Sequence, residues 1–155
     1  MALSKLDQLY RQVILEHSHQ PHHKGQLSTP LSYELNNPTC GDVITLHLDI
    51  QDGIVRDASF TGEGCSISTA SASMMCDAII GHSLAEVEQM SADFSSLVQG
   101  KEVANEDLGD ALLLSGVAKF PARIKCATLS WKALDHLLEN NENECCCHQY
   151  HKGEE

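Results

Sequence analysis

The sequence predicts an α+β domain: a small antiparallel sheet of about three strands with helices packed on one side. Three observations carry that expectation. Apolar residues recur at helical spacing in the first seventeen positions, strand-like alternation around an Asp-Gly turn follows, and helical periodicity fills the second half. The order is one helix, then strands, then helices, rather than alternating strand and helix units, and no internal repeat is visible.

Each element follows from a local pattern. Leu3, Leu6, Tyr10, Val13, Ile14 and His17 recur at three- and four-residue steps, with Ser4 and Asp7 as an N-terminal cap. Two prolines, a glycine and several histidines make residues 18–30 an irregular loop. Leu31 to Leu35 and Val43 to Ile50 alternate as strands, and Asp52-Gly53 turns the second into a third that runs from Ile54 to Thr61. From Cys65 a Ser/Ala-rich helix reaches residue 80, its small side chains suited to close packing. Ser83-Leu84-Ala85-Glu86 is a capping box that opens a helix ending at Gly100. Asn105 caps a helix containing Leu108, Leu112 and Leu113, which stops near Gly116. Pro121 interrupts the pattern. A last helix begins near Lys125 and buries Ala127, Trp131, Leu134 and Leu138.

At 155 residues the chain is long enough for one domain with a real core. We expect that domain over residues 1–140 and a disordered polar tail over 141–155. A formal charge of −12 argues against nucleic acid and against anionic membrane surfaces, and favours a partner with a basic docking face. No apolar run approaches the roughly 20 residues of a membrane span. The N-terminus lacks the apolar stretch of a signal peptide, so a cytoplasmic location is expected. Thiols stay reduced there, so seven cysteines, an odd number, point to metal or sulfur chemistry rather than a disulfide framework.

Four residues stand out. Cys40 and Asp42 share the turn Pro38-Thr39-Cys40-Gly41-Asp42 and can face one ion from a single loop. Cys65 follows Gly62-Glu63-Gly64 and opens a helix, where exposed N–H groups and the positive dipole end favour a thiolate. Cys126 is placed at the start of the last helix, just after Arg123 and Lys125. The competing reading is three unrelated core thiols. Cys76 does not belong with them: it lies three helical turns beyond Cys65, roughly 16 Å away, and reads as a packed residue. Cys145, Cys146, Cys147, His148 and His151 form a tail cluster that nothing holds in a fixed geometry. His17 reads as a satisfied structural histidine, and His19, His22 and His23 as solvated loop.

Three thiolates and a carboxylate suit a tetrahedral Zn²⁺ ion, and soft sulfur favours zinc or iron–sulfur over magnesium or calcium. Such a centre carries net negative charge, which Arg123 and Lys125 are placed to offset. A carboxylate leaves more readily than a fourth thiolate, so the expected site exchanges ligands.

Leu9-Tyr10-Arg11-Gln12-Val13-Ile14 with His17, Pro21 and Gly25, then Asn37 to Asp42, Gly62 to Ser68 and Pro121 to Ala127, together resemble the SufU-type branch of the IscU/NifU-N iron–sulfur assembly family. The likeness runs from Leu9 to about Leu138 and implies an IscU/NifU-N-like fold. Lys125, where scaffold members carry a histidine, and the long separation of Cys65 from Cys126 favour the SufU-type branch. The resemblance implies zinc held by Cys40, Asp42, Cys65 and Cys126, and a sulfurtransferase that accepts persulfide sulfur from a SufS-type cysteine desulfurase. In that picture a desulfurase histidine displaces Cys40 from zinc. The freed thiolate takes the sulfur on towards SufBCD-type cluster-building machinery, and Arg123 engages the partner. The alternatives are a scaffold that assembles a cluster on the same cysteines and a structural zinc module that only docks partners. The tail cysteines lie beyond the likeness and receive no role.

Overall fold

The computed structural model describes residues 5–25, 31–37, 41–103 and 105–147, with side chains at the same positions apart from 5–7, 9–10 and 140–147. Helix α1 (Lys5–His19) leads into strands β1 (Leu31–Asn37), β2 (Asp42–Gln51) and β3 (Ile54–Glu63). Helices α2 (Ser66–Ile79) and α3 (Leu84–Val98), a 3-10 segment (Glu106–Lys119) and α4 (Pro121–Cys147) complete the chain. The proposed α1 cap at Ser4 and the expected tail beyond residue 147 lie outside the described residues. Helical backbone in α4 does cross the expected 140/141 boundary.

The three strands form an antiparallel meander in the order β1-β2-β3. Asp52 (φ 56) and Gly53 (φ 73) both take positive φ, as a two-residue turn of type I′ demands. Ile44, Leu46 and Leu48 alternate into the core from β2, and Ala58 and Phe60 from β3. Val55 is also buried, although it stands three residues from Ala58. A bulge makes this possible: pairing slips between Asp49 and Ile50, so that Val55 meets Ile50 while Asp57 meets Asp49. The extra residue, Arg56, is exposed, and the alternation resets around it.

Helices α2 and α4 cover the apolar face of the sheet. Small residues let α2 sit deep among its neighbours: Ala70, Ser71, Ala72 and Ser73 are all fully buried. The hydroxyls of Ser71 and Ser73 are matched. Trp131 Nε1–H donates to Ser71 Oγ at 3.1 Å, and that hydroxyl donates to the Ala127 carbonyl at 2.5 Å. Trp131 also stacks on Phe94 at 4.4 Å between ring centroids, joining α4 to α3. The capping box at the start of α3 is present in full: Ser83 Oγ accepts from Glu86 N–H, and Glu86 Oε1 accepts from Ser83 N–H.

Two expectations need correcting. The segment after Asn105 is not an α-helix. It winds as 3-10 turns, broken at Gly109, whose φ of 56 and ψ of −130 suit glycine. Its buried residues are Leu108, Ala111, Leu114 and Val117, three apart, which is the 3-10 repeat. Leu112 and Leu113, named with Leu108 in the expected helix, are only partly covered. The last helix begins at Pro121, earlier than Lys125. Proline is favoured in a first helical turn because its missing N–H would have no helical partner there.

Candidate metal centre

Three of the four singled-out residues come together from three separate elements. Asp42 begins β2, Cys65 caps α2, and Cys126 lies in the second turn of α4. One carboxylate oxygen and the two sulfurs are all within 4.8 Å of one another. Asp42 and Cys126 are buried, at 1% and 0% exposure, while Cys65 is half-buried. Cys40, the fourth, lies outside the described residues. The ends of its turn are fixed: Gly41 N–H donates to the Asn37 carbonyl at 2.8 Å, and Asn37 pairs with Asp42 across the two strands.

Local hydrogen bonds hold this cluster. Cys65 N–H donates to Asp42 Oδ1 at 2.8 Å, and the other carboxylate oxygen faces Cys65 Sγ at 3.9 Å. Cys65 Sγ in turn accepts from Ser68 N–H at 3.5 Å, so the sulfur itself is the cap of α2. Two glycines permit the approach. At Gly62 (φ 115) a Cβ would run into the Val43 carbonyl, and at Gly64 it would meet the Ser68 hydroxyl. The strand end carrying Asp42 therefore lies close against the segment leading to Cys65.

The donor set fits zinc. A carboxylate buried at 1% exposure is costly without compensation, and among the described residues no basic side chain forms an ion pair with Asp42. A divalent cation between that oxygen and the two sulfurs would supply it. The electrostatic argument for Cys126, by contrast, changes. It stands in the second turn of α4 rather than at its N-terminus, so the sulfur lies away from the helix's unpaired N–H groups.

Arg123 and Lys125 are exposed in the opening turns of α4. Arg123 precedes Cys126 by three residues and so shares its side of the helix. Phe120, just before α4, is 52% exposed, one of two large apolar side chains left so open among the described residues. Cys76 is fully buried, and burial, followed by the nearby Asp77 and Asp57 carboxylates, pushes its thiol far above the ordinary range. It is a packed, unreactive residue. His17 is likewise buried, with Ser73 Oγ at 2.7 Å from Nδ1 and Asp110 Oδ2 at 3.1 Å from Nε2. The side chains of Cys145, Cys146, Cys147, His148 and His151 lie outside the described residues.

Sequence reasoning missed one cluster. His22 and His23 do not simply face solvent: they grip the two oxygens of Asp77 at 2.6 and 2.8 Å. The partners are more than fifty positions apart, and no local pattern announces the pairing.

Comparison with known proteins adds four findings. Residues 9–127 match the family described as the NifU-like N terminal domain. The chain is 56% identical over 140 residues to the zinc-dependent sulfurtransferase SufU of Bacillus subtilis, covering 90% of this chain and 95% of that one. It is 52% identical over 144 residues to a protein named iron–sulfur cluster assembly scaffold protein IscU from Streptococcus pyogenes, covering 92% and 91%. In fold it is similar to a NifU-like N-terminal protein of Brucella abortus, with a TM-score of 0.81 at 23% identity over 91% of this chain and 99% of the other.

Proposed function

From the premise that this chain belongs to the NifU-like N-terminal domain family, we propose that it is a zinc-dependent sulfurtransferase in iron–sulfur cluster assembly. It accepts persulfide sulfur from a SufS-type cysteine desulfurase and passes it to SufBCD-type machinery. The observation that carries this reading is the convergence of Asp42, Cys65 and Cys126 within 4.8 Å, a carboxylate among thiols. The 56% identity to a protein named as a zinc-dependent sulfurtransferase supports it.

Cys40, Asp42, Cys65 and Cys126 would hold the ion. Zinc, when bound, keeps thiols deprotonated yet masked. The chain's own residues then divide the work. Cys65 and Asp42 are fixed to each other through the Cys65 N–H bond. Cys126 is anchored in a buried helix. Cys40, in the turn, is the nucleophile: its thiolate attacks the terminal sulfur of the desulfurase persulfide. One S–S bond forms as another breaks, and the desulfurase cysteine leaves as a thiolate. Phe120 and Arg123, both exposed around the start of α4, offer an apolar and a cationic contact for the partner.

The test is desulfurase turnover with radiolabelled cysteine. The wild-type chain raises turnover and carries label on Cys40, whereas Cys40→Ala folds but neither stimulates nor accepts label. Full stimulation by that variant overturns the assignment. A scaffold role is the second reading, favoured by the name of the Streptococcus relative. Lys125, exposed beside Cys126, offers no imidazole for a cluster. Anaerobic reconstitution decides between them: a stable visible chromophore that displaces zinc supports the scaffold.

A further inference from the structure

We propose that His17, His22 and Asp77 form a second divalent-metal site, separate from the thiol cluster and selective for borderline transition ions such as zinc, cobalt or nickel. The three residues come from α1, the loop behind it and the last turns of α2, and one ligand atom from each lies within 4.8 Å of the others. The His17 and His22 rings are 4.6 Å apart between centroids. Two imidazole nitrogens and one carboxylate oxygen are the donors that such ions prefer. Magnesium and calcium, which need all-oxygen cages, are poorly served.

The surroundings support the ligands as those of a metal site do. Asp110 Oδ2 holds His17 Nε2 at 3.1 Å, a carboxylate–histidine pairing that fixes ring orientation. Ser73 Oγ accepts the His22 N–H at 2.8 Å and has its own proton to donate to His17 Nδ1. Asp110 can only accept, so Nε2 carries the ring proton and Nδ1 is the nitrogen left to face an ion, which would displace the Ser73 hydroxyl proton from it. His23 Nε2, 2.8 Å from the second Asp77 oxygen, steadies that carboxylate. His17 is rigid at 4% side-chain exposure, while His22 and Asp77, at 54% and 38%, remain open to an arriving ion. Asp77 and Asp110 also line a cleft of about 220 Å³ beside Met74, His82 and Asp107. A bound ion would tie α1 and its following loop to α2.

The experiment uses the full chain, first loaded with one equivalent of zinc and then titrated with Co²⁺. Cobalt held by nitrogen and oxygen shows weak d–d absorption without the sulfur charge-transfer band that thiolates, including those of the tail, produce. We expect one such equivalent in the wild type, bound at least tenfold more weakly by His22→Ala and by Asp77→Asn. His22 is exposed, so its replacement leaves the fold intact even if the Asp77 variant does not fold. Zinc-loaded His22→Ala should still stimulate a cysteine desulfurase, which separates failure here from failure of the sulfur-transfer reading. Equal sulfur-free cobalt uptake by wild type and His22→Ala, or none by the wild type, overturns the site.

Discussion

Helix α2 carries one side-chain cluster at each end: Cys65 caps its start, and Asp77 sits near its finish, roughly 18 Å further along. The clusters are built alike and furnished differently. Each collects three donors from three parts of the chain, with neighbouring hydrogen bonds to orient them. At the first end the donors are two sulfurs and an oxygen, and two of the three residues are sealed from water. At the second they are nitrogens and an oxygen, and only His17 is sealed. Soft, enclosed donors favour tight retention and thiolate chemistry, while harder, half-open donors favour exchange with the medium. One helix thus presents two coordination environments whose selectivity is set by donor type and burial.

The largest expected effect separates the two ends outright. Cys126→Ser should lose the zinc equivalent and all sulfur transfer, by metal analysis and desulfurase assay, while sulfur-free cobalt binding at His22 persists. Loss of both would mean that the clusters are one cooperative unit. Next, Gly62→Ala pushes a Cβ into the Val43 carbonyl at a positive φ. It should cost about 2–3 kcal/mol in chemical denaturation and weaken zinc retention, because the strand end with Asp42 shifts. Asp110→Asn should then weaken cobalt binding by about 10-fold and leave zinc content unchanged.

The smallest effect serves as a control away from both clusters. Burial raises the carboxyl of Asp135 above its ordinary value, against the Ser91 hydroxyl bond that lowers it. The unfolded chain releases this proton first as pH rises, so the group costs stability progressively through its folded titration range. Asp135→Asn should therefore gain stability relative to wild type from pH 4 to pH 7, read by thermal melts, with no change in metal content.

Legibility in the sequence followed the range of the interactions. The hairpin, the α3 capping box and the Cys65 cap rest on neighbours a few positions apart, and all were readable. Asp42, Cys65 and Cys126 could be picked out because each lies in a glycine- or proline-marked stretch. The start of α4 is ambiguous in the sequence because Pro121 signals a break, yet proline suits a first turn equally well. The 3-10 segment was hidden by its leucines: Leu112, Leu113 and Leu114 are consecutive, and no periodicity decides which of them points inward. The His22–Asp77 and His23–Asp77 pairs were beyond reach, since only the docking of the loop on α2 creates them.

The three-residue repeat after Asn105 also restricts how this stretch can change in length. Each residue there advances the chain by a third of a circle, so losing one before Ala111 would rotate a different column inward. Ser115 would take the place of Leu114, and Ala118 that of Val117. Gains or losses in multiples of three keep the column in register. Descendants of this chain should therefore vary the segment in triplets, or exchange its side chains without altering the count.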